Sequence, residues 1–230
     1  QGIKEGDQIG GPYELAKIFS QHLHTNNGFK EDDLRIKYLS WWKEGAFDTG
    51  PTYASVFNKI ENGMDPLLAA EKVHEEFEFN TAGCGPTHRA TPLAGMLTIP
   101  TDDLIDVARK EAKITHFHDD AGNGSAVVIL LCRYLLEGKS YEDAKELVSD
   151  NIDLKDTWVK IHKANLKPDG YVFNVIHSAL HFIENNKSLN DTFQFAGKSN
   201  YCPIIFSVIK QCIAKKKKKD FECLKYSILN

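Results

Sequence analysis

Apolar residues recur along this chain at spacings of three and four, the period of an amphipathic helix. Leu15, Ile18, Phe19 and Leu23 share one face of a helix over residues 13–23, and Leu34, Tyr38, Leu39 and Trp42 do so over 31–42. The same pattern predicts helices over 52–62, 65–76, 101–114, 121–137, 140–150, 155–164, 171–185 and about 201–217. Punctuation agrees with this reading. Gly28, Gly63 and Gly138 follow helical stretches, while Asp65-Pro66 and Ser140 stand where helices begin. No stretch alternates strictly enough for a strand. The apolar run 127–132 could form one, but together with 121–126 it fits a buried central helix better. The expectation is an all-α domain over residues 1–214, followed by a lysine-rich extension over 215–230.

Composition adds exclusions. A chain of 230 residues, 42% hydrophobic and 26% charged, is long enough to bury a substantial core. Its net charge of −4 argues against a nucleic-acid scaffold, where a basic stripe is expected. No apolar run approaches the roughly 18 residues needed to span a bilayer. The five cysteines (84, 132, 202, 212 and 223) form no C-x-x-C pair and leave one over, so they read as reduced thiols of a cytoplasmic protein.

Three polar, glycine-containing turns lead into helices. In the first, Gly83 and Gly85 flank Cys84, and Pro86 takes a first helical position ahead of His88 and Arg89. Such a turn lets backbone approach a ligand and offers amides to phosphate, with His88 and Arg89 within reach of an anion. Cys84 has only the helix start to lower its pKa, so a packed thiol outweighs a nucleophile. The second, Thr115-His116-Phe117-His118, precedes a helix opened by Asp119 and Asp120. Two histidines at i and i+2 point apart, which suits a hydrogen bond from one of them to a sugar or phosphate better than a shared metal. Asp119 and Asp120 read as helix N-terminal acids, Gly122 and Gly124 as close-packing positions. The third turn, 47–52, has Asp48 as its expected N-cap and gains a functional meaning only if it converges with the other two. Thr101-Asp102-Asp103 looks like a metal triplet, but its place before an amphipathic helix makes it a cap.

The segments 41–52, 83–93 and 115–118 occur in the order found in ADP-ribosylglycohydrolases, and the stretch around Gly6-Asp7 resembles that family's N-terminal glycine-aspartate motif. The superfamily includes dinitrogenase-reductase-activating hydrolases and the J1 crystallins, and the resemblance covers about residues 5–210. It implies a compact orthogonal helical bundle with a central cleft, a pair of Mg2+ ions, and hydrolysis of the bond between ADP-ribose and an acceptor. The sequence departs from the family at its metal motifs. Gly11-Pro12-Tyr13 stands before Glu14 where a Thr-Asp-Asp-Thr motif opens the corresponding helix, and the segment between it and the glycine-aspartate motif is missing. Lys198 and Asn200 stand where an Asp-x-Asp-Thr motif supplies two carboxylates. Magnesium needs several oxygen ligands with carboxylate countercharge, so no metal residue is assigned.

The expected ligand-binding set is therefore Gly83, Cys84, Gly85, Pro86, His88, Arg89, His116, His118 and Lys198, with ADP-ribose or a related nucleotide as the ligand. Lys198 could occupy the vacated ion position, where it would balance phosphate charge but not activate water. Two alternatives stay open. One is an active hydrolase using Asp7, Asp48 or Asp119 as a substitute carboxylate. The other is a crystallin-like structural protein with no ligand. The short N-terminal element leaves apolar helix faces uncovered, which is compatible with a homodimer.

Overall fold

The central element is a helix buried along most of its length, with six other helices packed against it. The computed structural model describes residues 3–4, 8–199 and 201–215. The described helices are α1 (Gly11–Asn26), α2 (Glu31–Lys43), α3 (Pro51–Glu61), α4 (Pro66–Glu76), α5 (Gly85–Arg89), α6 (Leu104–Lys113), α7 (Asp119–Leu136), α8 (Tyr141–Ser149), α9 (Lys155–Lys163), α10 (Val172–Glu184), α11 (Leu189–Ala196) and α12 (Tyr201–Lys215). A two-residue antiparallel ladder, β1 (Ile3–Lys4) with β2 (Gln8–Ile9), precedes α1. The fold is all-α, as the periodicity requires.

Residues 127–132 lie inside α7 and are all buried. A helix without a polar face must be covered all round, and α7 packs against α5, α6, α8, α9, α10 and α12. Two glycines permit this closeness. A Cβ on Gly122 would fall 3.1 Å from the Arg109 Cα of α6, and one on Gly124 would fall 2.6 Å from Val172 Cγ2 of α10. One hydrophobic cluster runs continuously from Leu15 to Ile209.

Local chemistry sets the helix ends, not always as expected. Asp65 Oδ1 accepts from the Leu67 amide at 2.8 Å, and Ser140 and Asp143 form a reciprocal capping box. Asp48, by contrast, is not a cap. Gly50 holds the N-cap position of α3, and Asp48 sits two residues earlier at φ 56. His118, not Asp119 or Asp120, caps α7, accepting from the Asp120 amide at 3.1 Å, and the two aspartates occupy its first turn. The expected helix over 101–114 divides into a 3-10 turn at Thr101–Asp103 and then α6; Asp103 makes no side-chain cap bond. Helix α11 went unread from the pattern, although Ser188 and Asp191 form a second capping box at its start.

Arg133 of α7 ties down the loop that follows α5. Its buried guanidinium donates to the carbonyls of Ala94 (2.7 Å), Met96 (2.8 Å), Ile99 (3.3 Å) and Leu93 (3.4 Å). Arg133→Met keeps the apolar stem but strands those acceptors, so it is expected to cost about 2–3 kcal/mol, measurable as a lowered urea midpoint with unchanged m-value.

Candidate functional site

All three polar turns converge. Residues 48–53, 83–85, 88, 89 and 116, together with Gly170, Lys198, Ser199 and Tyr201, line one cavity of about 460 Å³. Pro12, Leu15 and Ile204 supply apolar wall. The volume falls within the range of small-molecule sites, roughly 300–1,000 Å³.

The floor is set by backbone pairing that the sequence did not reveal. Gly83 bridges Tyr171 in antiparallel fashion, the Cys84 amide donates to the Gly170 carbonyl at 3.0 Å, and the Val172 amide donates to the Ala82 carbonyl at 3.0 Å. This pins the 82–84 segment beside the start of α10. Helix α5 then lasts only five residues. One turn is too short to gather a useful macrodipole, so the expected supply of phosphate-binding amides from a helix end is not what this loop provides.

Gly83 and Gly85 have a different use. A Cβ on Gly83 would lie 3.1 Å from His116 Nε2, and one on Gly85 would lie 3.1 Å from His116 Cε1. The two glycines make room for the imidazole, which is 5% exposed and reaches the cavity between them.

Behind the floor lies a buried polar network. Arg89 Nε donates to Glu111 Oε1 at 2.6 Å, and the Tyr38 hydroxyl donates to the same oxygen at 2.8 Å. Arg89 Nη2 donates to Thr115 Oγ1 at 2.8 Å, and that oxygen is 2.8 Å from His116 Nδ1. The Arg89 guanidinium carbon also lies 5.3 Å from the Tyr38 ring centroid and 5.9 Å from that of Tyr53. Burial works against the Arg89 charge, but the Glu111 carboxylate together with Tyr38 and Tyr53 outweighs it, and the guanidinium pKa is raised. Arg89 is thus an internal ion-pair partner and not the free anion hook the sequence suggested. Glu111 escaped the sequence reading, yet a signal existed. It lies on the same face of α6 as Leu104, Ala108 and Ala112, all buried, and a carboxylate in an apolar stripe demands a partner.

His88, unlike Arg89, is neutral at pH 7. Its Nε2 donates to the Tyr201 carbonyl at 3.2 Å and its ring stacks on that of Tyr201 at 6.0 Å. Burial lowers its pKa to about 4, against a smaller opposing effect of that carbonyl. Burial likewise lifts the Cys84 thiol to about 12, which leaves it protonated and un-nucleophilic at neutral pH. Exposed Lys198 and Asp48 stand at the cavity wall.

The family model described as ADP-ribosylglycohydrolase matches residues 12–201 of the chain. The chain belongs to the ADP-ribosylglycohydrolase family. A search of curated proteins returned no match.

Within this ADP-ribosylglycohydrolase fold, most expected site residues share the cavity: Gly83, Cys84, Gly85, His88, Arg89, His116, Lys198 and Asp48. Pro86 is buried in α5 and does not line the cavity, while His118 caps α7 beyond the wall, packing 5.5 Å from the His74 ring. Asp7 and Asn200 lie outside the described residues. Tyr53 and Gly170 join the lining without having been anticipated, since nothing in their local sequence marks a site, and Tyr201 joins it beside Lys198. Among the described residues no group of three or more His, Cys, Asp or Glu side chains is arranged to hold a metal ion, and no helix is long and apolar enough to cross a membrane.

Proposed function

We propose that this ADP-ribosylglycohydrolase-family protein binds ADP-ribose or a related nucleotide without a divalent cation and does not hydrolyse the bond its family cleaves. The carrying observation is the chemistry of the cavity wall. Among the described residues its only carboxylate is Asp48, and a lysine, Lys198, stands on the same wall. Magnesium demands near-octahedral oxygen coordination, met in part by carboxylates. Asp48 with the hydroxyls of Thr49, Thr52 and Ser199 does not fit a pair of such ions, and the nearby Glu111 carboxylate is already committed to Arg89 and Tyr38.

What the wall offers is a binding surface. His116 supplies a polar edge, Lys198 a cation for phosphate, and Tyr53 and Tyr201 aromatic surface. Lys198 and Tyr201 line the cavity without filling it, which leaves room for a ligand.

Calorimetry with ADP-ribose is the direct test. Saturable heat is expected, equal within error in magnesium and in chelator, and weakened roughly threefold to tenfold by Lys198→Ala. Binding that requires magnesium, or release of ADP-ribose from modified arginine or serine substrates, would overturn the proposal.

A further inference from the structure

The atoms on the far side of His116 decide what its cavity-facing edge can do. Thr115 is fully buried, and its Oγ1 has two polar neighbours, Arg89 Nη2 and His116 Nδ1, each at 2.8 Å. A guanidinium only donates, so Thr115 Oγ1 accepts from Arg89. The threonine hydroxyl then has one proton to place, and the acceptor within reach is His116 Nδ1. The opposite arrangement, with Nδ1–H donating, would strand that hydroxyl proton in a site closed to water. Glu111 keeps Arg89 charged through its 2.6 Å ion pair, so the polarity of the series cannot reverse. A neutral imidazole that accepts at Nδ1 carries its proton on Nε2.

We propose that Glu111, Arg89 and Thr115 lock His116 in the Nε2–H tautomer, so that it presents a fixed hydrogen-bond donor, and not a base, to an acceptor oxygen of the bound ligand. The identity of that ligand rests on the function proposed above; the tautomer does not. His116 Nε2 makes no hydrogen bond to any described residue and lies at the cavity between Gly83 and Gly85, so its N–H is available. Burial, with the Arg89 charge behind it, pushes the ring pKa down to about 3 and keeps it neutral. A neutral donor suits a ribose hydroxyl, a glycosidic oxygen or a phosphate oxygen. It takes no proton from water, because its lone pair is engaged by Thr115. Thr115 and Arg89 are positioning residues in this scheme.

Long-range 1H–15N correlation spectra of the 15N-labelled full chain read the tautomer directly at pH 6–8. The expected pattern is a protonated Nε2 and an unprotonated, hydrogen-bonded Nδ1, unchanged over that range. Thr115→Ser should preserve the pattern, and Thr115→Val should convert it to a mixture. In parallel, Thr115→Val should weaken ADP-ribose binding about tenfold while Thr115→Ser stays within about twofold. A protonated Nδ1 in the unmodified protein would overturn the proposal even if Thr115→Val fails to fold. So would Thr115→Val binding unchanged alongside an altered tautomer. Absence of any ADP-ribose binding with the Nε2–H pattern intact would instead remove the function proposed above and leave the tautomer lock standing.

Discussion

Glu111→Gln is expected to destabilise the protein by about 3–5 kcal/mol at neutral pH, more than any other single substitution considered. The amide preserves size and can still accept from Arg89 Nε, but it removes the negative charge paired with a guanidinium whose side chain is 1% exposed. Breaking a buried pair costs far more than the pair contributes, because the remaining charge has lost its solvent and gained nothing in return. Replacing both partners, Arg89→Met with Glu111→Met, is expected to recover a large share of the loss, since no orphan charge then remains. Urea unfolding of the two singles and the double variant gives the coupling. A loss below about 1 kcal/mol for Glu111→Gln would contradict the ion-pair assignment.

Acid is expected to destabilise the fold steeply between about pH 6.5 and 4.5. His88 and His116 are both buried and neutral, with burial lowering their pKa values from 6.5 to about 4 and about 3. Over that window the unfolded chain binds protons that the folded state refuses. Stability therefore falls as pH drops below the unfolded value, and the loss continues until the folded pKa is reached. Each histidine contributes up to roughly 1.4 kcal/mol per pH unit, so the pair removes on the order of 5 kcal/mol over two units. That is comparable to the whole stability of many domains. His22, whose pKa is also lowered chiefly by burial, acts in the same direction. Denaturant midpoints measured from pH 7 to 4.5 should fall along this slope. The double variant His88→Gln with His116→Gln should flatten most of it; an equally steep fall in that variant would show that other groups carry the acid response.

Both effects arise from residues whose roles the sequence assigned incompletely. Arg89 and His88 were recognisable as polar residues beside a glycine turn, which is why an anion-binding role was attractive. Their partners sit far along the chain, Glu111 on α6 and the Tyr201 carbonyl at the start of α12. No local pattern joins positions separated in this way. Gly83 and Gly85 show the same limit. Their permissive backbone was legible, but the object they accommodate, the His116 ring, is brought there by a separate turn. His118 was indistinguishable from His116 in sequence, and only the direction in which α7 starts sends one to the cavity and the other to a helix cap.

The sequence by itself determined the helical fold, the burial of α7, several helix caps and the family, because each is written in short-range periodicity, turn chemistry or contiguous motifs. It also marked the scarcity of carboxylates around the site, since residue identity needs no coordinates. The tertiary structure alone decided that the three turns meet in one cavity, and that Arg89 is neutralised by Glu111. It alone set His116 against Thr115 with its other nitrogen facing that cavity. Those outcomes depend on distances between segments remote in the chain, and distance is fixed by packing around α7, not by the order of residues.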